Sequence, residues 1–396
     1  MRVTKKYLAP TILVVAGLAL AGCAPTTPAD TRGEKAPVKI SIITSATGPL
    51  AGYCNEYTQG FKAGLDYATK GTGEVAGHKL DISYVDDAGD ADKTVSAAKD
   101  AIGNGTKIIA GTVSSGVALA VAEQAAQNKI LYISGPAAAD AITGVNEYTF
   151  RSGRQTYQDV ATAGTFVGDL ASKKVLVFAQ DTAFGQGNVA AVKAVLGGQG
   201  ATVTGELVPE DATEFTPFAL KVKDSAPDMV FVAWAGATTG AMWQALQQQG
   251  IFTSTPVVTG LGDIASYGAY GAASQDISFL NHYFSGAAGT DVEKAMIKFL
   301  DANSEKADLF SPDGFVAAQM IVHAIEKADG DDVGTMVKAL EGWSFDSVKG
   351  KLTVRAEDHA LIQPMFQAKL KASGDTFVPE LIKIVDADTV APPIAK

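Results

Sequence analysis

The sequence predicts an α/β protein built as two doubly wound parallel-sheet lobes, and three observations carry that prediction. Short apolar runs alternate with amphipathic stretches at helical spacing, a pattern that sets parallel strands between covering helices. The same order of elements occurs in two successive halves, without close internal sequence repetition. The length of 396 residues suits two domains of ordinary size, each with its own core.

The start of the chain stands apart. Arg2, Lys5 and Lys6 precede an apolar run from Leu8 to Leu20, the layout of a secretory signal, too short and too interrupted by Pro10 for a membrane span. Leu20-Ala21-Gly22-Cys23 resembles the lipobox of bacterial lipoproteins, which implies removal of residues 1–22 and lipidation of Cys23. That cleavage removes three positive charges and no acid, moving the formal net charge from −11 to −14. Residues 23–37, rich in Pro, Thr and charge, read as a tether from lipid to folded protein. Cys54 is then left without a partner and reads as a small buried residue in a turn, so no disulfide framework is expected.

The elements follow in order. Lys39–Thr44 reads as a strand, and the next stretch as a helix with Tyr57, Phe61, Leu65 and Ala68 on one face. Leu80–Val85 is a second strand, and Asp90 can cap a helix running through Ala101. Lys107–Ala110 and Ile130–Ile133 are strands flanking a helix over Val117–Ala126, a parallel pair with a right-handed crossover. The second half repeats this: helix 157–170, strand 174–179, helix 187–196, strand 201–208, helix 215–223, strand 229–233, helix 238–249 and strand 256–259. Three amphipathic helices (290–303, 313–328, 332–340) and three short strands (351–354, 365–370, 381–385) close the chain and suggest a return to both sheets.

In such sheets, loops at the carboxyl ends of strands line a crevice, so Thr112–Gly116 and Ser134–Ala139 are expected side by side. Ser114, Ser115 and Gly116 open a helix whose free N–H groups suit an anion such as a carboxylate; a simple N-cap is the alternative role for Ser115. Trp234, just past a strand end among small residues, is either a lid over the crevice or a core plug.

Other motifs carry less. Gly185-Gln186-Gly187-Asn188-Val189-Ala190 has the spelling of a dinucleotide site, but its glycines come too far after the strand for the tight turn a pyrophosphate needs. Ser96–Lys99 spells S-x-x-K inside an amphipathic helix without its partner motifs. His78, His282, His323 and His359 are scattered and show no metal-ligand spacing. A hydrophobic content of 47% with 19% charged residues describes a folded chain, and the net charge of −11 argues against nucleic acid. The chain reads as a binding protein rather than an enzyme, with no catalytic residue, cofactor or metal expected.

Taken in order, Ala46–Ala51, Tyr84–Asp87, Gly111–Ser115, Ile133–Ala139, Phe150-Arg151, Phe184–Gly187 and Asp313–Gln319 resemble the type I periplasmic binding proteins, specifically the Leu/Ile/Val-binding family of ABC importers. The resemblance covers residues 38–385. It implies two α/β lobes joined by three crossovers and closing on a ligand: an N-terminal lobe of 38–155 plus 286–349 and a C-terminal lobe of 156–285 plus 350–396. By the same resemblance the ligand carboxylate falls to Ser115, beside Ser114, and the head-group loop to Ala137 and Ala138. Tyr53, Phe184, Trp234 and Phe310 supply aromatic or apolar contacts, and the acid that pairs with an amino group falls near Gly262 or Asp263.

Three departures qualify the ligand. Ala138 lacks a hydroxyl, the acid is displaced unless Asp263 serves, and Arg154 adds a cation near the first crossover. The implied function is an extracytoplasmic, lipid-anchored solute-binding protein that delivers a branched-chain amino acid or related small carboxylate to an ABC permease. A receptor component feeding a sensor, or an importer component for aromatic acids or amides, is the alternative.

Overall fold

The computed structural model describes residues 35–395, so the signal-like segment, Cys23 and most of the expected tether lie outside the described residues. The first lobe opens with β1 (Val38–Thr44), α1 (Ala51–Thr69), β2 (Glu74–Val75), β3 (His78–Asp86), α2 (Ala91–Gly103), β4 (Ile108–Gly111), α3 (Ser115–Asn128), β5 (Leu131–Ser134) and β6 (Thr149–Arg151). The chain then passes to the second lobe: α4 (Thr156–Gly164), β7 (Lys174–Gln180), α5 (Ala183–Val195), β8 (Thr202–Val208), α6 (Thr216–Asp224), β9 (Met229–Ala233), α7 (Thr239–Gln248), α8 (Ile251–Ser254), β10 (Val257–Gly260), α9 (Tyr267–Tyr270) and β11 (Ile277–Asn281). It returns through α10 (Asp291–Ala302), α11 (Ser311–Ala328), α12 (Val333–Leu340), β12 (Ser344–Ser347), β13 (Gly350–Val354) and β14 (Leu361–Ile362), and ends in the hairpin β15 (Met365–Ser373) and β16 (Thr376–Val385).

One sheet has the order β2-β3-β1-β4-β5-β6 and the other β16-β15-β11-β10-β9-β7-β8. Their central strands pair in parallel, while β2, β15 and β16 add antiparallel edges. Side chains alternate between the two faces of a strand. Ile108 and Ala110 therefore join one core and Ile109 the opposite one; Leu176 and Phe178 likewise face away from Val175 and Val177. Both faces are covered by helices, which is why these strands read as unbroken apolar runs rather than alternating ones.

Several expectations shift. Thr149–Arg151 and Ile277–Asn281 are strands that periodicity left unassigned, the first because it is only three residues long. The helix expected over 157–170 ends at Gly164, and Gly168 takes a left-handed φ of 76°. The last strands do not return to both large sheets: β12, β13 and β14 form a small sheet of their own. Leu352, Val354 and Leu361 of this small sheet pack into the same core as β1, β4 and β5. Cys54 is buried and free, but lies inside α1 rather than in a turn.

Helices α1 and α11 approach backbone to backbone. A Cβ on Gly60 would overlap the Ser311 carbonyl, one on Gly64 the backbone of Phe315, and one on Gly314 the Tyr57 carbonyl. The lobes touch at the cleft rim. Ala237 N–H donates to the Pro49 carbonyl at 3.1 Å, and Gly236 N–H to the Tyr53 hydroxyl at 3.3 Å. Ile264 N–H donates to the Asp308 carboxylate at 3.0 and 3.1 Å. Burial raises the Asp308 carboxyl to about 6, with Asp263 pushing the same way. Burial and the neighbouring Asp308 hold Glu56 well above the usual carboxylate range.

Two outcomes follow from this packing. Alanine in place of glycine stabilises an exposed helix by roughly 1 kcal/mol. At the α1–α11 contact Gly60→Ala should instead cost about 1–3 kcal/mol of overpacking, read as a lower urea midpoint at unchanged m-value. For Asp308, the folded state holds its proton where the unfolded carboxyl, near 3.9, has lost it. Its contribution to stability therefore falls as pH rises from about 4 to about 6. Asp308→Asn should gain on the wild type across that window and hold a constant difference above it; urea melts at pH 4.5 and 7 giving one and the same difference would contradict this.

Candidate functional site

The carboxyl ends of both sheets face a cavity of about 450 Å³. On the first lobe it begins at Gly111, where φ is 106° and a Cβ would overlap the Ile43 carbonyl, and Thr112, at φ 70°. This turn lifts Val113, Ser114 and Ser115 to the cavity wall at the start of α3. Ser114 is the N-cap residue but makes no capping hydrogen bond, so the first N–H groups of α3 have no side-chain acceptor at their own terminus. Ser115 is not the cap. It is the first helical residue, 4% exposed, and its hydroxyl oxygen accepts from Ala139 N–H at 3.1 Å, leaving its own proton free to donate.

That bond ties α3 to the loop after β5. Ala138 and Pro136 of this loop line the cavity, whereas Ala137 turns into the core beside Ile142 and Tyr132 and is absent from the wall. Arg151, 1% exposed, holds the loop from behind: its Nη1 donates to the Ala137 carbonyl at 2.8 Å and its Nη2 to the Ala139 carbonyl at 2.7 Å. Burial lowers its pKa to about 10, which still leaves it charged at neutral pH.

Aromatic side chains enclose the space. Tyr53 and Phe310, from the first lobe, meet edge to face at 4.8 Å, and the Phe310 N–H donates to Glu56 at 3.0 Å. From the second lobe come Phe184, at the start of α5, and Trp234, after β9. Trp234 unites both roles considered for it. Its ring rests at 5.4 Å on the core residues Phe178 and Phe215, its Nε1 donates to Thr238 at 3.0 Å, and the half-buried remainder lines the cavity.

Asp263 does not reach the wall. Its carboxylate accepts from Ser266 N–H at 3.1 Å, capping a short turn, and the lining position is Gly262. The G-x-G-x-x-A segment lies inside α5, where a Cβ at Gly185 would overlap the Gln180 carbonyl, and Thr182 caps that helix. Close packing against β7, not a phosphate, accounts for this glycine.

Sequence reasoning missed the polar floor beside Arg154. Arg154 lines the cavity, its Nη1 donating to the Pro136 carbonyl at 2.8 Å and its Nε to Asp159 at 3.2 Å, with the guanidinium 5.5 Å from the Phe310 ring centre. Asp159 and His282 line it too. His282 bonds Asp313 at 2.6 Å and Lys349 at 3.2 Å; burial lowers the imidazole to about 4 and the ammonium to about 7. The geometry fits a neutral imidazole that donates from Nε2 to Asp313 and accepts at Nδ1 from Lys349. Each of these buried charged groups thus has at least one partner of opposite or complementary character, and the α3 terminus adds a row of helix amides with no side-chain acceptor. No period or spacing announces Asp159, in the first turn of α4, or His282, just past β11, because only the fold brings these two positions to one cavity. Among the described residues no group of three or more His, Cys, Asp or Glu side chains could hold a metal ion.

Comparison with known proteins agrees with this architecture. The sequence matches the family described as periplasmic binding protein over residues 37–375. It is 28% identical over 336 residues to the Leu/Ile/Val-binding protein homolog 3 of Brucella melitensis, covering 84% of this chain and 90% of that protein. A crystal structure of an ABC-type branched-chain amino acid transporter from Rhodopseudomonas palustris superposes with a TM-score of 0.75 at 31% identity, covering 90% of this chain and 99% of that one. A solute-binding protein of an ABC transporter from the same species, in complex with p-hydroxybenzoic acid, shares the fold at a TM-score of 0.81, 21% identity, and coverage of 89% and 98%. Relatives of this kind are solute-binding proteins of ABC transporters and not enzymes, and the family implies an extracytoplasmic location. The chain belongs to the type I periplasmic binding proteins, in the Leu/Ile/Val-binding family.

Proposed function

We propose that this chain is the lipid-anchored solute-binding component of an ABC importer, which captures a small carboxylate-bearing molecule by closing two lobes on it and hands it to a membrane permease. The observation that supports this most is the uncapped N-terminus of α3, with the Ser115 hydroxyl beside it, opening into a cavity walled by both lobes. Free helix amides, the positive end of the helix dipole and one hydroxyl form a donor set for a carboxylate. Enclosure between lobes would desolvate the bound anion and strengthen each of these bonds. Ser114, Ser115, Ala138, Tyr53, Phe184, Trp234, Phe310 and Arg154 are the proposed contacts, and Cys23 the proposed lipid attachment point.

The site favours an organic acid over an α-amino acid. An ammonium group asks for a carboxylate and further acceptors, but Gly262 stands at the cavity wall while Asp263 caps a turn, Ala138 has no hydroxyl, and the carboxylate of Asp159 sits beside the Arg154 guanidinium, which repels a second cation. The aromatic rings of the wall suit a flat or branched apolar body.

Ser115→Ala removes one hydrogen bond to a charged group and should weaken binding of a carboxylate ligand by about 1–3 kcal/mol. Calorimetry with a panel of leucine, valine, benzoate and 4-hydroxybenzoate reads this directly. Unchanged affinity for whichever compound binds would remove the carboxylate from the α3 terminus.

A further inference from the structure

Asp159 holds a detail that the carboxylate site leaves unexplained. It is 6% exposed, at the start of α4, and lines the cavity. One carboxylate oxygen, Oδ2, accepts from Arg154 Nε at 3.2 Å; the other, Oδ1, is buried and has no hydrogen-bond partner among the described residues. A buried carboxylate oxygen without a donor costs on the order of 1–3 kcal/mol, so such an atom is ordinarily satisfied by water or ligand. Arg154 shows the complementary pattern. Its Nε and Nη1 are engaged, by Asp159 and by the Pro136 carbonyl, while its Nη2 donates to no protein acceptor among the described residues.

One ion pair at the cavity wall therefore leaves an acceptor and a donor without a protein partner among the described residues. We infer that Arg154 and Asp159 form a second polar subsite that selects acids carrying a hydroxyl group, the hydroxyl accepting from Arg154 and donating to Asp159 Oδ1.

The choice of group follows from charge. An ammonium would satisfy Asp159 but face the guanidinium, and a second carboxylate would satisfy Arg154 but face Asp159. A hydroxyl is donor and acceptor at once, carries no charge, and leaves the ion pair intact. Truncated ligands without it would strand both atoms in a desolvated site, which is how a buried polar pair discriminates strongly against an analogue lacking one hydroxyl. The inference rests on the carboxylate reading of α3, since it assigns the other end of the same ligand.

Calorimetry on the full folded chain with two matched sets separates the two ideas. The aliphatic set is 4-methylpentanoate, 2-hydroxy-4-methylpentanoate and leucine; the aromatic set is benzoate, its three monohydroxy isomers and 4-aminobenzoate. In at least one set a hydroxylated acid should bind about tenfold or more tighter than its parent and tighter than the amine. Asp159→Ala and the isosteric Asp159→Asn should each shrink that preference to within about threefold while moving the parent acid by less than about threefold. Ser115→Ala should weaken hydroxylated and parent acids alike. Parent acids or amines binding as tightly as the hydroxylated ones, or a preference that survives both Asp159 variants, overturns the subsite and leaves the carboxylate reading standing. No binding by any acid in either set overturns both.

Discussion

The loop Gly135–Ala139 brings backbone to the edge of the cavity between the lobes, and two side chains make that placement possible. Buried carbonyls and amides must find partners within the protein. Arg151 takes the carbonyls of Ala137 and Ala139, and the Ser115 hydroxyl takes the amide of Ala139. A planar guanidinium with fixed donors can hold two carbonyls two residues apart, which a lysine could not do with the same rigidity. The loop in turn orients its surroundings: Arg154 leans on the Pro136 carbonyl, and Thr156 N–H closes on the Ala138 carbonyl at 2.8 Å as the chain enters the second lobe. One buried arginine thus supports the head-group wall and the start of the first crossover.

Charge is distributed on the same logic. The cavity floor carries Arg154, Asp159, His282 and, behind it, Asp313 and Lys349. These groups pair internally, and the burial that lowers His282 and Lys349 keeps the net charge of the floor small. A carboxylate entering the cavity therefore meets attraction mainly at α3, where the donors are backbone amides whose partial charge is fixed by helix geometry and does not titrate. The rim works differently. Asp308, Glu56 and the nearby Asp263 put acids where the lobes meet, and one of them receives a backbone amide from the opposite lobe. Contact at the rim is thereby coupled to protonation, while the anion site is not.

Much of the fold was legible from residue order. Runs such as Lys174–Gln180 and Met229–Ala233 are apolar throughout because both sheet faces are covered, and Asp90 caps its helix through a bond to Lys93 N–H. What stayed hidden depended on residues remote in sequence. Gly60, Gly64 and Gly314 look like weak points in two helices, and only the approach of α1 to α11 shows that they are contact points. The strand β13 carries the same apolar signature as any strand, and only the structure shows its Leu352 and Val354 packed into one core with β1 and β4.

For the site, the sequence by itself pointed to the Ser114–Ser115 helix opening, the loop opposite it and Trp234, because strand ends in a doubly wound sheet converge on one edge, while the family resemblance supplied Tyr53, Phe184 and Phe310. Tertiary structure decided between neighbours. It turned Ala138 toward the cavity and Ala137 into the core, placed Gly262 at the wall and Asp263 on a cap, and brought Asp159 and His282 to the floor. Each of these outcomes depends on the direction of one Cα–Cβ bond at the end of an element. That direction is set by how the surrounding loops and helices pack, which no periodicity along the chain expresses.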